Sequence, residues 1–132
     1  MNIIITIVPI LYENKLNYSK YSAYIVLGYV ALHHATTKHL KLITTPTALE
    51  TEFTRLIQEY NEFYWATAWA GINSKAFDAL KVNNRKIKKI IVGIHFYQTH
   101  PDFIESFLTN GNMRFILQPA GTFHPKLYLF TN

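Results

Sequence analysis

Ile87-Lys88-Lys89-Ile90-Ile91-Val92-Gly93-Ile94 is the stretch that decides the fold. Its first half mixes lysine with isoleucine, while its second half is continuously apolar. A strand wetted on one face alternates apolar and polar residues; an unbroken apolar run points to burial on both faces, the habit of parallel sheets. The segment after this strand reads as a helix. Thr99 to Asp102 has capping-box spacing with Pro101 in the first turn, Phe103, Ile104, Phe107 and Leu108 form one stripe, and Asn110-Gly111 supplies the stop. Ahead of the strand, Asn73 or Ser74 is placed to cap a short helix carrying Ala76, Phe77 and Leu80, and the basic loop Asn83-Asn84-Arg85-Lys86 leads into the strand.

The same rhythm continues outward. Leu40 to Thr44 reads as a short strand. Thr45-Pro46 then suits a helix start, with Thr47 and Glu50 at capping-box spacing and Leu49, Phe53, Leu56, Ile57 and Tyr60 on one helical face. Glu62 to Ala70 is aromatic on one parity, so Phe63, Trp65 and Trp69 are expected to pack in one layer of a strand. Met113–Leu117 and His124–Phe130 are the last two strands, joined by a turn at Gln118-Pro119-Ala120-Gly121. Strands alternating with helices predict an α/β domain, a largely parallel sheet with flanking helices, over residues 37–132. Residues 1–36 do not join this rhythm and are set apart as an N-terminal extension, either an added strand and helix or a poorly ordered arm.

Composition bounds the function. The chain has 132 residues, enough for one domain, and 49% of them are apolar, enough for a real core. The formal net charge of +5 favours an anionic partner, nucleic acid first. Absence of cysteine excludes disulfides and thiolate metal sites, and makes a reducing, cytoplasmic compartment the default. The apolar runs Ile3–Val8 and Tyr24–Leu32 fall well short of the roughly 20 residues that span a bilayer, so no membrane partner is expected.

Most other polar features have ordinary meanings. His33, His34 and His39 lack carboxylate or thiolate companions at a ligating spacing, and no metal is expected. His95 and His100 flank a strand-to-helix loop and read as surface residues. Arg85, Lys86, Lys88 and Lys89 read as a solvated charge run, and Trp65 and Trp69 as core rather than as base-stacking platforms.

His124-Pro125-Lys126 is different. Side chains alternate along a strand, so His124 and Lys126 should project the same way, roughly 6.5–7 Å apart. A phosphate fits between an imidazole and an ammonium so placed. A lysine on an apolar strand is also expensive unless something partners it. Pro125 removes a ladder donor, which sets the motif at the strand's beginning or beside a bulge and exposes it.

These residues resemble the phospholipase D superfamily, whose signature is a His-x-Lys pair on a strand. The closer likeness is to bacterial phospholipase-D-like proteins linked to restriction and DNA processing. It is carried by Ile91-Val92-Gly93-Ile94-His95, by Thr99-His100-Pro101-Asp102-Phe103, and by Gly121-Thr122-Phe123-His124-Pro125-Lys126-Leu127-Tyr128-Leu129-Phe130, and it spans about Leu40 to Phe130. The resemblance implies a metal-independent, cofactor-free phosphodiesterase acting on nucleic acid, DNA first. His124 would be the nucleophile and Lys126 the holder of the non-bridging oxygens. With one such motif per chain, it implies a homodimer in which two His124 side chains face one phosphate. The family's acidic residue five positions after the lysine is Thr131 here, and its later Gly-Ser-x-Asn strand is not present. The expectation is therefore a partial domain, nearly inactive alone, from a truncated gene or an excised segment. The competing expectation is a noncatalytic dimerisation or nucleic-acid-binding module.

Overall fold

The computed structural model describes residues 3–9, 23–28, 40–117, 121 and 123–132. In chain order these form β1 (Ile3–Pro9), β2 (Ala23–Gly28), β3 (Leu40–Ile43), α1 (Pro46–Glu59), β4 (Glu62–Thr67), α2 (Lys75–Val82), β5 (Ile87–Gly93), α3 (Pro101–Phe107), β6 (Met113–Ile116) and β7 (Lys126–Thr131).

Local chemistry sets where each helix begins. The Thr45 hydroxyl accepts the Ala48 N–H at 3.2 Å, with Pro46 in the first turn, so Thr45 rather than Thr47 is the cap of α1. Glu50, expected to close a capping box, instead accepts the Lys75 N–H at 2.8 Å and ties α1 to the start of α2. Ser74 caps α2 through the Phe77 N–H at 3.1 Å. At α3 the cap is His100, whose Nδ1 accepts the Asp102 N–H at 3.2 Å; the expected Thr99 cap is absent because that side chain is buried. Lys86 is not simply solvated either. Its ammonium donates to the carbonyls of Ile57 and Gln58 at 3.0 and 2.9 Å, near the C-terminal end of α1, where carbonyls lack helical partners.

The seven described strands form one sheet in the order β3-β2-β1-β7-β4-β5-β6. β5 does have a parallel neighbour on each side, β4 and β6. The other four pairings are antiparallel, so the sheet is mixed, not largely parallel. The apolar run of β5 reported only on its own neighbours, and nothing in it bears on the antiparallel return of β7 or the β1-β2-β3 meander. The division expected at residue 36 lies outside the described residues, and strands on both sides of it belong to this one sheet.

The connections β3–α1–β4, β4–α2–β5 and β5–α3–β6 all advance in one sense across the sheet. Right-handed crossovers then place all three helices on the same face. The core lies there. Phe53 of α1 meets Trp65, Tyr128 and Phe130 at ring-centroid distances of 5.1, 4.8 and 5.5 Å, and Phe77 of α2 meets Phe103 of α3 at 5.7 Å. The strand period of two then accounts for β4: Phe63, Trp65 and Thr67 are buried, and Tyr64 between them is exposed. Cross-strand partners share a face, so Leu127, paired with Ala66, also lies on the side away from the helices and is exposed. Among the described residues no helix is long and apolar enough to cross a membrane.

Candidate active site

Because β4, β5 and β6 run one way and β7 runs against β4, the carboxyl ends of the first three and the start of β7 share one edge of the sheet. The chain leaves β4 through Ala68-Trp69-Ala70, leaves β5 through Ile94-His95, and enters β7 through His124-Pro125. Ligands of α/β sheets gather outside the carboxyl ends of strands.

His124 and Lys126 meet on one indole at this edge. The His124 ring stands edge-on to Trp69 with centroids 4.7 Å apart, and the Lys126 ammonium lies 4.9 Å from the Trp69 ring centroid. Both groups thus reach the same side chain, although β7 begins at Lys126 and the strand expected from His124 starts two residues later. His124 is exposed and Lys126 half-buried. Pro125 sits just before β7, and its carbonyl accepts the Ala68 N–H at 2.8 Å; its missing donor leaves no gap in the ladder.

The main chain at Trp69 is held by the side chains of Thr67 and Tyr128. Thr67 donates to the Trp69 carbonyl at 3.0 Å and accepts from the Tyr128 hydroxyl at 2.9 Å. Burial pushes the Tyr128 phenol up, which keeps it protonated as a donor. Trp65 and Trp69, expected in one strand layer, part company because β4 ends at Thr67. Trp65 stays in the core against Phe63 and Phe130, while Trp69 turns into the site.

His95, read from sequence as a loop-surface residue, is only 5% exposed. It packs against Trp69 at 5.7 Å and Phe96 at 5.0 Å. Gly93 makes room for it. A Cβ there would fall 2.4 Å from the Ala68 carbonyl oxygen and 3.0 Å from the Cε1 and Nδ1 atoms of His95. The two exit loops are also pinned together by Thr99, which donates to the Gly93 carbonyl at 2.5 Å and accepts the Ala70 N–H at 3.2 Å. His100 stays outside as a helix cap. A histidine placed just after a strand's carboxyl end, shortly beyond a buried glycine, is the sequence signal that could have marked His95.

Two measurements check this arrangement. Gly93→Ala is expected to destabilise the fold by about 1–3 kcal/mol in urea melts, since the backbone oxygen it meets cannot move aside. Gly71→Ala and Gly111→Ala, where nothing lies within 4 Å of the added carbon, are the controls. The second concerns Lys126. Partial burial lowers its pKa below the ordinary lysine value, and among the described residues it has no carboxylate partner. The native state then binds fewer protons than the unfolded one in the window between the lowered value and the usual ~10.4, so stability rises with pH there. Lys126→Met should melt higher than the parent at neutral pH, with the difference shrinking as pH climbs through that window.

Compared with protein-family models, curated proteins and solved structures, the chain matches none. Among the described residues no group of three His, Cys, Asp or Glu side chains is placed to hold a metal ion, and His33, His34 and His39 lie outside those residues.

Proposed function

We propose that the chain is a phospholipase-D-like phosphodiesterase acting on nucleic acid, and that each copy contributes one half-site. The observation that carries this reading is the convergence of His124 and Lys126 on Trp69 at the edge of the sheet where β4, β5 and β6 end. An imidazole nitrogen of His124 attacks phosphorus, a P–N bond forms, and the bond to the leaving oxygen breaks. That oxygen takes a proton from the His124 of a second copy, a step worth roughly 10²–10⁴-fold in rate. Water then attacks phosphorus, giving its proton back to the His124 of the second copy, and the P–N bond breaks to free the first imidazole. The Lys126 ammonium offsets charge on the non-bridging oxygens throughout.

Nucleic acid is the substrate class that fits the surroundings. The net charge is +5, and Phe96 and Tyr97 stand exposed directly after His95, where they offer π-faces to bases. The test is hydrolysis of bis(4-nitrophenyl) phosphate and of DNA in EDTA, as a function of protein concentration. Turnover per chain that rises with concentration supports the paired site; its absence at every concentration removes the enzyme.

One observation favours a second reading. Among the described residues no carboxylate orients the His124 imidazole, so nothing there selects its tautomer. A noncatalytic nucleic-acid-binding or dimerisation module would need no such partner. Salt-dependent DNA binding without turnover would establish it.

A further inference from the structure

Trp69, which His124 and Lys126 both touch, packs against His95 in turn, and three ring nitrogens of this pair are buried with no hydrogen-bond partner among the described residues: Trp69 Nε1, His95 Nδ1 and His95 Nε2. Each such group normally leaves a structure about 1–3 kcal/mol less stable than a satisfied one. Donors outnumber acceptors among them. An indole N–H only donates, and a neutral imidazole pairs one N–H with one accepting nitrogen. The Lys126 ammonium, facing the same indole, adds donors without an acidic neighbour among the described residues. A cluster rich in donors and short of acceptors is completed by a ligand that only accepts and carries negative charge, and phosphate oxygens do both.

We propose that Trp69 and His95 form the back of the seat for the phosphoryl group, with the Trp69 indole N–H and the His95 imidazole donating to oxygens of the group that His124 and Lys126 address. This rests on the phosphodiesterase reading and adds two binding residues to it. His95 is not a nucleophile here. Its ring is buried, and Phe96, itself 67% exposed, packs across it at 5.0 Å. Phe96 and Tyr97 are successive non-glycine residues with φ of 57° and 55°, a left-handed backbone that disfavours each by about 1–2 kcal/mol.

The experiment titrates inorganic phosphate into the full chain. Calorimetry gives affinity, and nitrogen-edited NMR follows the histidine ring nitrogens and indole N–H groups, assigned with His95→Phe and Trp69→Phe. Phosphate is expected to shift the His95 and Trp69 signals along one saturating curve with those of His124. His95→Phe should bind phosphate roughly 10- to 100-fold more weakly, the loss of a hydrogen bond to a charged group, while melting no lower than the parent. His95→Gln, which keeps a donor, should recover part of the affinity. His95 and Trp69 signals that stay still while His124 titrates would overturn the seat and leave the phosphodiesterase reading standing. So would parental phosphate affinity in His95→Phe, whatever its melting temperature. If the parent chain binds no phosphate and no signal moves, seat and reading fail together. The NMR arm uses the unmutated chain, so a variant that does not fold leaves the test intact.

Discussion

Replacing His124 with alanine should reduce phosphodiester hydrolysis in EDTA by at least ~10³-fold, the scale seen when a covalent nucleophile is removed from an otherwise intact site. The variant is clean in structural terms. His124 is exposed, precedes β7 rather than lying in it, and its ring touches Trp69 at an edge. Surface substitutions of this kind change stability by about ±0.5 kcal/mol, so an unchanged melt would separate lost chemistry from lost fold. The intermediate offers a second readout, since a phosphohistidine is an acid-labile, base-stable adduct. A labelled diester should mark the parent chain and leave His124→Ala unmarked. Undiminished turnover in the variant would take His124 out of the mechanism, and a marked variant would move the nucleophile elsewhere.

The largest effect on stability is expected at the other end of the same strand. Phe130 is fully buried and packs against Phe53, Tyr60, Phe63 and Trp65, with ring centroids 5.5, 6.1, 5.4 and 5.3 Å away. It lies on β7, which is paired to β1 on one side and β4 on the other, so one ring joins α1 to the middle of the sheet. Phe130→Ala removes the ring and leaves a void that strands paired on both sides cannot close. The expected cost is about 3–5 kcal/mol in urea or thermal unfolding. For a domain whose net stability is typically about 5–15 kcal/mol, that is a large fraction. Phe130→Leu, which keeps most of the apolar volume, should lose much less. Equal losses for the two would mean that ring shape, not filled volume, holds this junction.

These two positions show how unevenly the chain discloses itself. The alternating apolar pattern around β4 and β7 and the apolar run in β5 mark core strands, and the stripe Leu49, Phe53, Leu56, Ile57 marks the buried side of α1. Helix starts were legible to within a residue or two. Ser74 was legible as one of two candidate caps of α2, but the caps of α1 and α3 were not, because Thr and His compete for the same backbone donors and the winner depends on which neighbour is pulled inward. Thr99 is the example: burial between the exits of β4 and β5 gave its hydroxyl better partners than the end of α3 did.

The site divides the same way. His124 and Lys126 are two residues apart at the entry to β7, close enough in the chain for both to reach Trp69. Trp69 and His95 are 26 positions apart in the chain and meet only because β4 and β5 are parallel neighbours whose carboxyl ends coincide. No local pattern encodes that meeting. Local periodicity, two in strands and 3.6 in helices, therefore settled what the sequence alone determined here: the strands and helices from residue 40 onward, and the nearness of His124 to Lys126. Strand order and direction, set by packing between distant segments, decided the rest: the mixed sheet, the inclusion of β1 and β2, the single helical face, and the turning of Trp69 and His95 from expected core and surface into one cluster.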